Sequence, residues 1–337
     1  MANNEKSSLP LVSIIINNYN YGRFIQDAME SALNQTYPKI EVIVVDDGST
    51  DNSREIISRY ASAGLVKAVL KENGGQASAM NAGFEVSSGD LVVFLDSDDV
   101  LKPEAIEAAV KAWHPGVSKI QWRMERVDSN LYSLNIFYPP LGAKLVSGDI
   151  KRIMCRWFEY PTSPQSGNMY SREFLLKIMP IPETTWKTAA DAPLYTLAPF
   201  FGCLVSLPDV LTLYRLHGTN AGLSVADYAT TMLSASRSIR DFIRENFPEE
   251  ALCLREEVMF ERKLKLIRDL TGNLCGCPYY ERVKRGILGA IDSLSFPFFT
   301  SRMKRIEAAL WFLATGLLPA PLARIAALEA VKKKNQV

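Results

Sequence analysis

The sequence predicts an α/β protein: a mainly parallel sheet flanked by helices, with a helical extension at its C-terminal end. Three observations carry this. Apolar, β-branched runs alternate with helical periods through the first hundred-odd residues, which implies parallel strands joined by crossovers. Residues 91–95 are unbroken apolar and run straight into Asp96, Asp98 and Asp99, as a buried strand does when its carboxyl end faces a ligand crevice. From Val225 onward the strand signal gives way to helical spacing.

Residues 11–16 read as the first strand. Phe24, Ile25, Ala28, Met29, Ala32 and Leu33 recur at helical spacing and mark one buried face. Residues 41–45 form the second strand, and Ser49 or Asp51 caps a helix carrying Ile56, Ile57 and Tyr60. A third strand covers 65–70, a helix 76–86, and the acidic-ended strand 91–95. Pro103 suits the first turn of a helix carrying Ile106, Ala109, Val110 and Trp113. Residues 117–215 mix short strands with loops rich in proline and aromatics. Residues 232–245 and 252–270 then have amphipathic spacing. No internal repeat or low-complexity linker interrupts this order.

Length and composition narrow the function. A chain of 337 residues can form one large α/β domain with an appendage, or two domains. Basic and acidic residues balance at 38 and 37, which gives no argument for a nucleic-acid partner. The five cysteines form no C-x-x-C pair and their count is odd, so reduced thiols in a cytosolic protein are expected. Cys275 and Cys277 are close, but without a second pair or a nearby histidine they are a weak metal signal. Residues 1–10 are polar and unlike a signal peptide, and no run reaches the roughly 18 apolar residues of a spanning helix.

Three strand ends carry the polar groups. The first ends in Asn17-Asn18-Tyr19-Asn20, the second in Asp46-Asp47-Gly48-Ser49, the fourth in the acidic run. Clustered carboxylates repel unless a cation sits among them, and hard oxygen ligands shared with phosphates suit Mg²⁺ or Mn²⁺. The competing reading is a solvated acidic turn. No G-x-G-x-x-G opens the first helix and no G-x-x-x-x-G-K-[ST] exists, which disfavours a nicotinamide cofactor and excludes a P-loop. Diphosphate charge would then fall to a metal.

The runs SIIINNYN, VIVVDDGSTDNS, ENGGQASAMNAG and GDLVVFLDSDD, in that order over roughly residues 10–113, resemble the donor half of a family 2 glycosyltransferase of the GT-A fold. The resemblance implies an inverting transferase using a nucleoside-diphosphate sugar, UDP by default, with Mn²⁺ or Mg²⁺. Carried over by position, Asn17 and Tyr19 line the base and ribose pocket, with Tyr19 stacking on the base. Asp47 accepts a hydrogen bond from the base, and Gln76 lies over the donor. Asp96 contacts ribose or sugar, Asp98 holds the metal, and Asp99 binds sugar or supports its neighbours. Core packing is the alternative for Tyr19, and a turn or cap role the alternative for Asp46.

Two later segments extend the resemblance. The run from Trp186 to Asp191 resembles the family's acidic motif before a helix, usually Glu-Asp; only Asp191 is acidic here. It is the candidate base for the acceptor hydroxyl. Its other reading is a helix cap ahead of Pro193. The run from Tyr214 to Asn220 resembles a Tyr-Arg-x-His-x-x-Asn segment, in which His217 completes the metal shell or meets the diphosphate and Arg215 neutralises phosphate. Residues 167–172 are a weaker acceptor-side candidate. Trp157, Phe158 and Tyr160 are either a sugar platform or core aromatics. By this reading residues 1–223 are the transferase domain, with a donor half at 10–113 and an acceptor and base half at 114–223, and residues 224–337 are the helical region.

Residues 308–318 are strongly apolar, stopped by Pro319 and Pro321, preceded by Arg302, Lys304 and Arg305, and followed at the chain end by Lys332, Lys333 and Lys334. Such a helix suits either an anionic membrane surface or burial against the catalytic domain or a second copy in a homodimer. The expectation is a cytoplasmic glycosyltransferase, peripheral on the inner face of the plasma membrane. It would act on a saccharide or lipid-linked acceptor in cell-surface polysaccharide or glycolipid synthesis. A sugar nucleotidyltransferase would need a glycine-rich basic loop, whereas residues 17–22 hold one glycine. A non-catalytic scaffold of the same fold would have no need of clustered carboxylates.

Overall fold

The computed structural model describes residues 9–186, 189–217, 225–254, 259–271, 279–295, 302–318, 322–323 and 325–328. The chain divides into two compact units. The first holds residues 1–140, 147–149 and 162–217; the second holds 141–146, 150–161 and 218–337.

The first unit is built on a sheet whose opening half is parallel. Strands β1 (Val12–Asn18), β2 (Ile40–Asp47), β3 (Lys67–Lys71) and β4 (Leu91–Asp96) lie side by side in the order β3-β2-β1-β4. Helices α1 (Ile25–Leu33), α2 (Ser53–Ser62) and α3 (Gln76–Glu85) make the crossovers. A short β5 (Val100–Leu101) and α4 (Ala105–Ala112) follow. Beyond them the sheet continues as β8-β6-β9-β5, from β6 (Val117–Val127), β7 (Ser133–Tyr138, paired with β6), β8 (Asn168–Ser171) and β9 (Cys203–Arg215). Strand β8 is antiparallel to both β4 and β6, whereas β6 and β9 are parallel. Helices α6 (Arg172–Ile178) and α7 (Asp191–Phe201) complete this unit.

Strand alternation divides the sheet into two faces. Val12, Ile14 and Ile16 of β1, Val42 and Val44 of β2, and Leu91, Val93 and Leu95 of β4 join one core with Ile25, Met29, Ile57 and Ile106 from α1, α2 and α4. Each such aliphatic side chain adds roughly 1.5–3 kcal/mol on burial. The opposite face carries Ile15 and Val45 against α3, where Gly83 lets helix and strand close up: a Cβ there would meet Ile15 at 2.3 Å. The same parity sends Asn17, Asp47 and Asp96 to the α3 face and Asn18 and Asp46 to the other.

In the second unit α5 (Lys151–Trp157) precedes α8 (Val225–Asn246), α9 (Pro248–Ala251), α10 (Met259–Thr271), α11 (Tyr279–Ser295) and α12 (Arg302–Leu317). Ala229, Leu233, Leu264 and Ile267 form the seam between α8 and α10. Arg240 is paired with Glu261 at 3.2 Å, and Arg262 with Asp292. Helices α11 and α12 meet at Gly286 and Gly316, where a Cβ on either would lie 2.7 Å from the other's Cα.

Two expectations change here, and the core reading of one aromatic group is borne out. Cys155 and Cys253 form a disulfide, contrary to the expectation of reduced thiols, so the cysteine pattern no longer argues for a reducing compartment. The partners stand 98 residues apart, a pairing that spacing alone does not reveal. Trp157, Phe158 and Tyr160 are buried and pack as core residues, not as an open sugar platform. The helical spacing at 252–270 resolves into α10 preceded by the short α9, with 255–258 outside the described residues. Cys275, Cys277, Pro319, Pro321, Lys332, Lys333 and Lys334 also lie outside them.

Candidate active site

Adjacent carboxylates Asp46 and Asp47 do different work because β2 sends them to opposite faces. Asp46 accepts from Asn18 Nδ2 at 2.9 Å, Arg54 Nε at 2.7 Å and the Ser49 N–H at 3.0 Å. Burial pushes its carboxyl up, but the hydrogen bonds from Ser49, Arg54 and Asn18 outweigh that and hold it below the usual carboxylate range. It fastens the strand end. Asp47 accepts from Lys71 Nζ at 2.7 Å and from the Gly74 and Gly75 N–H groups at 3.0 and 2.7 Å. It thereby fixes the turn that leads into α3. Gly48 has φ +83°, and a Cβ there would meet the Asn73 nitrogen at 2.6 Å, so the corner requires glycine.

At the end of β1, Asn20 sits at φ 58°, a left-handed conformation that asparagine tolerates, and is tied by hydrogen bonds to Ser49 and Thr50. Beside it Tyr19 is 48% exposed, so core packing does not explain it. Asn17 pairs in register with Asp96, and both polar atoms of its side chain are buried with no partner in the protein. Buried polar atoms left unpaired are costly, and a ligand group would satisfy them.

Gln76 joins three segments. Its Nε2 donates to Gln165 Oε1 at 3.2 Å, and its Oε1 accepts from the Ala190 N–H at 3.0 Å. Gln165, in a 3-10 turn over Gln165–Gly167, donates in turn to Asp96 Oδ1 at 2.6 Å. The donor-side strand β4, the 3-10 turn and the start of α7 are thus linked by two amides. The sequence reading missed Gln165, which lies in a proline- and serine-rich loop with no periodic signal.

In the acidic run Asp99 is buried and Asp96 and Asp98 are half-buried. Burial, then the charges of Asp99, Asp98 and Asp191, push the Asp96 carboxyl well above its usual range. Burial and the neighbouring Asp98 do the same to Asp99. Asp99 Oδ1 accepts from the Arg215 N–H at 3.0 Å, while its Oδ2 is buried without a partner. Asp98 Oδ2 lies 2.9 Å from His217 Nε2. Arg23 Nη2 approaches His217 Nδ1 at 3.3 Å. Tyr21 and Phe24 pack against the imidazole with centroids 5.2 and 4.8 Å away.

Arg215 is buried, donating to Asp27 Oδ2 at 2.6 Å, the Ser129 carbonyl at 2.8 Å and the Asp98 carbonyl at 2.8 Å, with its guanidinium over Phe24. In this arrangement it shapes the loop carrying Asp98 and Asp99.

Asp191 is the first residue of α7, with Ala190 in the cap position, so the cap reading is corrected by one residue. An acid in the first turn is favoured by the exposed N–H groups there. Burial raises its carboxyl to about 6, moderated by its own and the Ala192 N–H, the Lys119 charge and the Gln165 N–H. Lys119 Nζ donates to Gln121 Oε1 at 3.0 Å and Thr162 Oγ1 at 2.6 Å, and burial pushes its ammonium well below the usual range. The alternation Lys119-x-Gln121-x-Arg123 reads as a half-solvated strand, yet all three are buried, which is why the sequence reading passed over Lys119.

The candidate acceptor strand at 167–172 is β8, where Asn168, Met169 and Tyr170 are buried. Asn168 Nδ2 donates to the carbonyls of Ser163, Pro164 and Gln165 and so shapes the Gln165 turn. Lys187 and Thr188, and Gly218, Thr219 and Asn220, lie outside the described residues.

Among the described residues no group of three or more His, Cys, Asp or Glu side chains is placed to hold a metal. Asp98 and His217 supply one oxygen and one nitrogen in mutual contact, beside the unpartnered Asp99 Oδ2. That fits Mg²⁺ or Mn²⁺, which takes one or two protein ligands and completes its shell with substrate phosphates and water.

The model of the family described as "Glycosyl transferase family 2" matches residues 13–178. An uncharacterized glycosyltransferase of Nostoc sp. is 34% identical over 230 residues, covering 67% of this chain and 71% of that protein. The chondroitin synthase of Pasteurella multocida is 46% identical over 141 residues, 42% of this chain but 14% of that one. The chain therefore matches only a small part of that synthase. Residues 1–349 of S. aureus TarS, solved in complex with UDP, superpose with a TM-score of 0.55 at 21% identity, over 96% of this chain and 92% of that one. At that identity the likeness shows the fold.

Proposed function

We propose that this chain, which belongs to glycosyl transferase family 2, moves a sugar from a nucleoside diphosphate to an acceptor hydroxyl with inversion. The observation that carries the reading is Asp191. It is a half-buried carboxyl at the start of α7, poised at about 6, and Gln165, which donates to Asp96, is among the groups that moderate it. A base poised near neutrality is well matched to taking a proton from a hydroxyl. Residues 10–113 would recognise the donor and residues 114–223 the acceptor.

Each step follows from residues in place. Tyr19 and the unsatisfied amide of Asn17 receive the base and ribose. The turn that Asp47 pins presents Gln76 and, through Gln165, holds Asp96 toward the ribose and sugar. Asp98 Oδ2 and His217 Nε2 would hold Mn²⁺ or Mg²⁺ on the diphosphate, where a bound cation would offset the charge of the leaving group. Asp191 takes the acceptor proton. The acceptor oxygen forms its bond to the anomeric carbon as the bond to the diphosphate oxygen breaks on the opposite face. UDP is the favoured nucleotide because the fold neighbour TarS was solved in complex with it. Polysaccharide synthesis is supported by the likeness to chondroitin synthase, and the acceptor is a saccharide or a lipid-linked saccharide.

Calorimetric titration with UDP, dTDP and GDP, each with Mn²⁺ and with EDTA, tests the donor half. The expected result is one nucleotide that binds with Mn²⁺ and is lost with EDTA. Binding of none of the three overturns the reading.

A further inference from the structure

Helices α11 and α12 are apolar on two sides. Inward, Ala290 of α11 and Ala309, Phe312 and Gly316 of α12 are buried, and the helices touch at Gly286 and Gly316. Outward, Met303, Ile306, Leu310 and Leu317 of α12 and Ile287 and Ile291 of α11 are 39% to 65% exposed. Their spacings of three, four and seven residues place each set along one side of its helix. A helix on the surface of a globular protein normally turns polar residues to water. Glu307 is matched by Lys304 at 3.1 Å, so it leaves no net negative charge beside this face.

Charge is divided as sharply as hydropathy. The second unit holds 22 Lys and Arg against 14 Asp and Glu, a formal charge of +8; the first holds 16 against 23, or −7. The near-zero total hides this split. Lys284 is exposed one turn before Ile287, on the same side of α11.

We infer that the outer face of α11 and α12 docks on an anionic lipid surface, lying in the headgroup layer. An apolar stripe on a strongly cationic unit is what such a surface binds, through apolar burial and attraction to acidic headgroups together. A second copy would set one cationic unit against another, which opposes self-association through this face. Among the described residues no helix is long and apolar enough to cross a membrane, and α12, at 16 residues, is about 24 Å long, so it lies on the surface. This docking rests on the proposed transferase reading only for its purpose, which is to bring the enzyme to an acceptor carried on lipid.

The test is co-sedimentation of the full chain with vesicles of phosphatidylcholine containing about 30% phosphatidylglycerol, against pure phosphatidylcholine. The expected result is binding to the anionic vesicles, weakened at least roughly tenfold on neutral ones. The double variant Ile291→Glu/Leu310→Glu should weaken anionic binding roughly tenfold or more while leaving UDP titration and thermal melting unchanged. No sedimentation with the anionic vesicles overturns the docking, as does equal binding by the double variant. A dimer in analytical ultracentrifugation that the double variant dissociates assigns the face to a second copy and also overturns it. Loss of UDP binding by the parent chain would sink the transferase reading and leave the lipid result standing.

Discussion

Gln165 Nε2 donates to Asp96 Oδ1 at 2.6 Å while its Oε1 accepts from Gln76, so one amide spans the donor strand and the turn that opens α3. The same residue's backbone N–H helps to lower the Asp191 carboxyl. Gln165 thus stands between Asp96 and Asp191, the carboxylates proposed to bind the sugar and to act as base.

Gln165→Ala removes a hydrogen bond to a buried carboxylate, an interaction of about 1.5–3 kcal/mol. UDP-sugar binding should weaken about 10- to 100-fold. Isothermal titration against the parent protein measures this, and unchanged affinity would place Gln165 outside the donor site.

Asp191→Asn should lower turnover by roughly 10²–10⁴-fold and leave UDP binding intact. The folded carboxyl is raised from 3.8 to about 6, so the folded state holds the proton more tightly than the unfolded chain. Its stabilising contribution is complete below pH 3.8 and is lost as pH rises through about 6. At neutral pH the ionised buried acid costs up to about 3 kcal/mol, and the Asn variant should melt higher. Turnover of the parent should fall on the acid side of about 6. Because the Lys119 charge lowers the Asp191 carboxyl, Lys119→Met should move that acid limb upward. A limb left in place would separate Lys119 from the base.

His217→Ala leaves Asp98 Oδ2 as the one remaining member of the proposed ligand pair. The affinity gain that Mn²⁺ gives to UDP should shrink by about tenfold or more, with the metal-free affinity little changed. Titrations in Mn²⁺ and in EDTA read both numbers, and an undiminished Mn²⁺ effect would be fatal to this ligand assignment.

The long loop that Cys155–Cys253 closes runs through residues 162–217 of the first unit, and both of its ends lie in the second. Replacing both by serine should lower the stability of that unit by about 4–5 kcal/mol, the chain-entropy value for a loop of this length. Chemical denaturation checks it. The residues proposed to bind UDP lie in the first unit, so UDP binding should persist in the double serine variant.

The opening half of the first unit was readable from sequence because its strands are parallel and three of them, β1, β2 and β4, are buried on both faces. Such strands are written as unbroken runs like 91–95, with the polar change falling at their ends. Parity supplied more: counting from Val44, Asp46 and Asp47 must face opposite ways, and the core residues say which. What stayed hidden was non-periodic or distant. Lys119 and Gln121 alternate with apolar residues as though half-solvated, but the polar side of β6 is covered. Gln165 stands in a turn shaped by Asn168, and Cys155 finds its partner 98 residues away. Tertiary packing decides each of these, and local pattern carries no trace of it.

Gly286 and Gly316 bring α11 and α12 together with no side chain between them. The two backbones share a single van der Waals wall, and the interlock does not depend on the residues that point away from it. Ile287, Ile291, Met303 and Leu310 can therefore drift while the hairpin holds its shape. The frame is fixed and its coat is replaceable: relatives of this enzyme could be resurfaced for a different lipid composition, or for none, by a handful of changes that never touch the joint.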